Sequence, residues 1–138
     1  MSDTWMFVED EPDLYEILSV LFELWGHDII AFQTGEEAVD WLTQVEQDGD
    51  TEDLPELALL DIRLPGEIDG IEICKQIRQN SLLAEIPVIL ATAYRLTPKQ
   101  IEQIMAETQA DMLLHKPLPN AAEFHKMLDR LITQKNGR

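Results

Sequence analysis

Apolar residues along this chain alternate between two spacings, and each change of spacing marks the start of a new element. Five short apolar runs have the length and the β-branched or aromatic content of strands: TWMFVE, DIIAFQ, LALL, PVILA and DMLLH. LALL is apolar throughout, as expected of a strand covered on both faces. The intervening segments follow the helical period. Leu14, Ile17, Leu18, Leu21, Phe22 and Trp25 form a first stripe, with Pro12 suited to its first turn and Gly26 to its stop. Thr34 is placed to cap a second helix carrying Ala38, Trp41, Leu42 and Val45, and Asp69 to start a third with Cys74 and Ile77. Thr97-Pro98 opens a fourth through Ile101, Ile104 and Met105. Pro119 opens a fifth through Phe124, Met127, Leu128, Leu131 and Ile132. Strands alternating with helices predict an open parallel α/β sheet with right-handed crossovers and no internal repeat.

That architecture gives the polar residues at strand ends their meaning. The carboxyl ends of parallel strands share one edge of the sheet, and ligands bind in the crevice there. Glu9 and Asp10 follow the first strand, Asp61 the third, Thr92 the fourth and Lys116 the fifth. Two carboxylates 4 Å apart repel by about 4 kcal/mol at an effective dielectric of about 20, so such a cluster needs a compensating cation. Hard oxygen ligands at an open edge with room for water suit Mg²⁺. Asp61 as nucleophile, metal and lysine as charge clamps, and threonine as hydrogen-bond donor make a phosphoryl-transfer set. Tryptophan fluorescence would follow Mg²⁺ at that site provided Trp5, on the first strand, senses it.

A length of 138 residues with 45% hydrophobic content fits one globular domain. No apolar stretch approaches a membrane span, and the amino terminus lacks a basic region and a cleavable signal. The lone cysteine, Cys74, excludes an internal disulfide, fits a reducing cytosol and reads as a small buried helix residue. A formal charge of -17 repels nucleic-acid phosphates and anionic lipid. Residues 46–56, EQDGDTEDLPE, are read as a solvated acidic loop. A calcium loop starting at Asp48 is excluded, because its sixth and twelfth positions are Asp53 and Leu59 in place of glycine and glutamate.

The motifs VEDEPD, LLDIRLPG, ILATA and LLHKP, in this order and spacing, resemble the receiver domain of two-component response regulators over nearly the whole chain. The resemblance implies a flavodoxin-like, doubly wound five-stranded parallel sheet of order 2-1-3-4-5 with five helices. It implies a single receiver domain over 1–138, core about 4–134, without an output domain in this chain. Asp61 would take a phosphoryl group from a sensor histidine kinase or a histidine phosphotransfer protein, as a signalling phosphoacceptor and not an enzyme. Asp10, Asp61 and the backbone carbonyl of Arg63 would bind Mg²⁺ directly and Glu9 through water, while Thr92 and Lys116 would contact the phosphate. Arg63 and Tyr94, each two residues beyond a site residue, would flank the attacking water's path. A downstream protein would read the face of helix 4, strand 5 and helix 5 in the cytoplasm, with no direct contact to nucleic acid or membrane.

Three departures from the family pattern stand out. The loop after Asp61, LPGEIDG, is one residue longer than the common form; Gln109 stands where glycine is frequent; and Leu113 replaces the usual aromatic switch residue. Leu113 keeps open a second reading, an interaction module on the same fold that works without phosphorylation. A haloacid-dehalogenase-type hydrolase is excluded because it needs an aspartate where this chain has Arg63. A P-loop is excluded because Gly66 and Gly70 lead into Ile71, with no lysine to clamp a phosphate.

Overall fold

The computed structural model describes residues 3–136. Among them, strands and helices alternate as β1 (Thr4–Val8), α1 (Pro12–Leu24), β2 (Asp28–Phe32), α2 (Gly35–Asp48), β3 (Ala58–Asp61), α3 (Gly70–Gln79), β4 (Val88–Thr92), α4 (Pro98–Thr108), β5 (Met112–His115) and α5 (Ala121–Asn136). The strands form one sheet of order β2-β1-β3-β4-β5, every neighbouring pair parallel. This is the flavodoxin-like, doubly wound topology that the motifs imply.

Side-chain alternation along the strands divides the core in two. Trp5, Phe7, Leu57, Leu59, Ile89 and Ala91 face α1 and α5, meeting Leu18, Phe22, Phe124 and Leu128. Met6, Val8, Ala58, Leu60, Val88 and Leu90 face the opposite way, onto Ala38 and Leu42 of α2 and Ile73, Cys74 and Ile77 of α3. The central strands β1, β3 and β4 are buried along their whole length, because helices cover both faces. The edge strands β2 and β5 are largely half-buried.

Local chemistry sets the helix boundaries. Glu37 N–H donates to the Thr34 hydroxyl (3.2 Å) and Glu72 N–H to the Asp69 carboxylate (2.9 Å). Thr97 and Gln100 form a reciprocal capping box at the start of α4, with Pro98 as its first helical residue. Three expectations need correction. α5 starts at Ala121, not at Pro119, and its cap is Asn120, whose carboxamide oxygen accepts from Glu123 N–H at 3.0 Å. The first three residues of the acidic stretch belong to α2, which ends at Gly49 in the left-handed conformation. Ile17 is 52% exposed although it falls on the apolar period of α1, because the turn places it beside Val20 on the outer face.

At the amino edge of the sheet, Arg78 joins three segments. Its guanidinium donates to the carbonyls of Ala84, Ile86 and Gln109 and pairs with Asp111 at 2.9 Å. Gln109 closes α4 with φ of 56°, the left-handed region that costs an L-residue about 1 kcal/mol and glycine almost nothing. Its functional contacts are made by the backbone: its N–H bonds Met105 and its carbonyl takes the Arg78 bonds. Replacing Gln109 with Gly is therefore expected to stabilise the fold by about 0.5–1 kcal/mol, and with Val to destabilise it. Urea denaturation midpoints check both signs.

Candidate functional site

The parallel register brings the ends of β1, β3, β4 and β5 level, so residues distant in sequence share one pocket. Lys116, just past β5, places its ammonium 2.8 Å from Glu9 Oε1 and 3.5 Å from Asp61 Oδ2. The other oxygen of Glu9 accepts the Glu11 N–H at 3.1 Å, which fixes this buried carboxylate at the turn into α1. Asp10 is exposed at the pocket's rim. Glu9, Asp10 and Asp61 each offer a carboxylate oxygen, and the three atoms lie within 4.8 Å of one another.

Asp61 is 6% exposed. Burial, then the charge of Glu9, push its carboxyl up to about 7, with Asp10 adding to the rise and Lys116 opposing it. For Lys116, burial works against the charged form. The hydrogen bond and charge of Glu9, with the charge of Asp61, outweigh burial and hold the ammonium above its ordinary range. The pocket is thus short of positive charge: three carboxylates face one lysine. Oxygen-only donors in that condition fit a small divalent cation that keeps several waters.

Backbone constraints hold the β3–α3 loop against this pocket. A Cβ on Gly70 would lie 2.2 Å from the carbonyl oxygen of Asp61, so α3 can begin against the strand end only with glycine there. Gly66 turns the loop at φ of 85°, and Glu36 in the first turn of α2 accepts the Glu67 N–H at 2.9 Å. The N–H groups of Glu67, of Glu36 itself and of Ile68 hold the Glu36 carboxyl below the usual carboxylate range. This clamp accommodates the long LPGEIDG loop. Glu36 was not legible as a loop anchor, since its partner lies 31 residues away.

Thr92 is buried at the end of β4, and its hydroxyl accepts the Tyr94 N–H at 3.1 Å. Arg63 stacks its guanidinium over the Tyr94 ring, Cζ 4.1 Å from the centroid, joining the β3–α3 and β4–α4 loops across the pocket's mouth. Leu113, paired with Leu90 in the sheet, is half-buried against the α2–α3–α4 side of the core. Trp5 does not serve as a probe of the pocket: it lies four residues before Glu9 on an extended strand, about 13 Å away, and stacks on His27.

A carboxyl raised to about 7 makes stability depend on pH in a defined direction. Between about pH 4 and pH 7 the folded metal-free chain binds more protons at Asp61 than the unfolded chain, so stability from this group falls as pH rises through that window. Asp61→Asn removes the buried charge without changing shape. In a chelator, the variant is expected to be more stable than the wild type by roughly 1–3 kcal/mol at pH 8, with the gap closing towards pH 5. Denaturant titrations at several pH values check this, and Mg²⁺ should narrow the gap at pH 8.

The response regulator receiver domain family matches this chain over residues 6–129. The alkaline phosphatase synthesis transcriptional regulatory protein PhoP of Bacillus subtilis is 34% identical over 113 residues, which are 81% of this chain and 41% of PhoP. The chain thus spans about two fifths of that relative's length. The CheY-like receiver domain protein of Methanospirillum hungatei superposes with a TM-score of 0.78 at 19% identity, covering 99% of this chain and 98% of its own. The receiver domain of a Pseudomonas aeruginosa sensor histidine kinase, solved with magnesium coordinated in its active-site cleft, gives 0.75 at 23% identity, covering 96% and 98%. No described helix is long and apolar enough to cross a membrane. Taken with the parallel 2-1-3-4-5 sheet and the acidic pocket at its carboxyl edge, these matches show that the chain belongs to the response regulator receiver domains of two-component signalling.

Proposed function

We propose that Asp61 accepts a phosphoryl group from a phosphohistidine on a sensor kinase or phosphotransfer protein, in the cytoplasm, and that the modified chain offers an altered surface to a partner. The observation that carries this reading is the convergence of Glu9, Asp10, Asp61, Thr92 and Lys116 from four strand ends. An Asp61 oxygen attacks phosphorus in line, forming the O–P bond as the P–N bond breaks; the bonding pair stays on the imidazole nitrogen, which takes up a proton. Lys116 is placed to neutralise charge on the incoming phosphoryl oxygens. Asp10, Asp61 and the Arg63 carbonyl would hold Mg²⁺, with Glu9 acting through water; bound there, the ion would favour ionised Asp61 and offset phosphoryl charge. Support for the ion comes from the carboxylate triad and from the magnesium in the Pseudomonas receiver's cleft.

The route outward starts at Thr92. A phosphoryl oxygen that takes up the Thr92 hydroxyl disturbs the acceptor of the Tyr94 N–H, and so loosens the loop that carries Tyr94. Leucine at 113 has neither ring nor hydroxyl, so it cannot supply both the packing and the hydrogen bond of an aromatic switch. Switching therefore rests on Thr92, Lys116 and the Tyr94 loop, with the α4–β5–α5 face as the surface a partner reads. A net charge of -17 speaks against direct nucleic-acid contact by this chain. Leu113 keeps open the second reading, an interaction module independent of phosphate, against which the intact Glu9, Asp10, Asp61, Thr92 and Lys116 argue, and the next experiment separates the two.

Incubation with Mg²⁺ and acetyl phosphate should add one phosphoryl group by intact-mass analysis, none in Asp61→Asn, and far less in Asp10→Ala. Absence of modification in the wild type would favour the phosphate-independent module. The Arg63–Tyr94 stack should shield the aspartyl phosphate from in-line water, with Arg63 also able to pair with phosphate. The double change of both to Ala is expected to speed self-dephosphorylation roughly threefold to tenfold, about 0.7–1.4 kcal/mol of barrier, measured as phosphate release. An unchanged rate would show that both side chains only face solvent.

A further inference from the structure

A second set of ligand-type side chains lies away from the acidic pocket. His27 occupies the turn between α1 and β2, and His125 and Asp129 sit one turn apart on α5. Each offers one ligand atom, and the three atoms lie within 4.8 Å of one another. His125 Nε2 and Asp129 Oδ2 are 3.3 Å apart. A tetrahedral zinc ion with bonds of about 2.0 Å separates neighbouring ligand atoms by about 3.3 Å. That pair already has the required spacing, and a shift on the order of 1 Å brings in His27.

Both imidazoles are held in place before any ion arrives. His27 Nδ1 lies 2.9 Å from the carbonyl oxygen of Asp3. A carbonyl only accepts, so Nδ1 is the donor and, in the neutral imidazole, Nε2 is the nitrogen that offers a lone pair, the arrangement by which backbone carbonyls orient metal-bound histidines. The His27 ring stacks on the fully buried Trp5 at 3.7 Å and 17°, and the His125 ring on Trp25 at 4.1 Å and 3°. His27 precedes β2 whereas Asp61 ends β3, so this cluster and the phosphoacceptor pocket belong to opposite ends of the parallel sheet.

We propose that His27, His125 and Asp129 form a site for a late first-row divalent cation, with Zn²⁺ as its occupant and water completing the coordination. Two imidazole nitrogens and one carboxylate oxygen suit Zn²⁺, whereas Mg²⁺ takes oxygen ligands and belongs in the acidic pocket. The chain thus carries two cation sites of different chemistry. Zinc at the second ties α5 to the α1–β2 turn, and the strongly negative surface raises the local cation concentration.

Calorimetric titration of the intact chain with Zn²⁺, under saturating Mg²⁺ to fill the acidic pocket, tests the site. One Zn²⁺ per chain is expected, with the thermal midpoint raised by several degrees. His125→Ala should weaken binding at least tenfold. Asp129→Asn, at a side chain 55% exposed and safe for the fold, should weaken it several-fold. Amide chemical-shift changes should centre on residues 27, 125 and 129. Three results would each overturn the site: no binding under saturating Mg²⁺, wild-type affinity in both variants, or shifts centred on Asp10 and Asp61. Any of them would leave the histidines as aromatic packing on Trp5 and Trp25.

Discussion

Where β1, β3 and β5 end, the Lys116 ammonium meets Glu9 at 2.8 Å and Asp61 at 3.5 Å, and the remaining chemistry of the pocket is organised by this contact. A buried carboxylate without a partner would be strongly destabilising. One lysine shared by two buried acids, with Asp10 close by, leaves the balance unfinished, and Asp61 shows it by holding its proton to about neutral pH. The fold tolerates that imbalance because the core on both sheet faces is continuous and well packed. An incomplete charge balance is what makes the pocket receptive to a cation.

Around this centre the backbone is tightly constrained. Gly70 lets α3 begin against the Asp61 carbonyl, and Glu36 reaches across from α2 to hold the loop at Glu67. Opposite, the Thr92 hydroxyl holds the Tyr94 N–H, and Arg63 spans the two loops through its stack on Tyr94. An exposed cation–π contact contributes only about 0.5–1 kcal/mol, so this bridge can open without disturbing the sheet beneath it. Asp61 thus has rigid support beneath it and a weak closure above it.

The two ends of the sheet have different electrostatic character. The carboxyl edge collects oxygen donors and a lysine. The turn into β2 and the facing side of α5 collect imidazoles stacked on tryptophans. Further along the amino edge, Arg78 and Asp111 join α3, β4 and β5 through largely buried, charge-assisted bonds. α5 carries His125 and Asp129 of the imidazole cluster and reaches Asp111 through Lys135 at 3.3 Å.

Much of this was legible in the residues alone. Apolar periodicity located every strand and helix, because burial on a pleated or helical surface imposes its own spacing. Capping chemistry at Thr34, Asp69 and Thr97 marked helix starts, since those side chains satisfy local N–H groups. Strand-end polar residues predicted the pocket, as parallel strands leave no other place for them to converge. What sequence could not supply was anything decided between elements. Ile17 keeps the helical period yet faces outward, because which arc of α1 is covered depends on where the sheet lies. Pro119 resembles a helix start, but the Asn120 carboxamide was free to cap one residue later. Glu36 at its distant loop, Arg63 on Tyr94, and His27 against His125 are all contacts across long sequence separations. Local pattern thus determined the elements and the identity of the acidic residues. Their distances, partners and proton affinities exist only once the sheet brings their strands together.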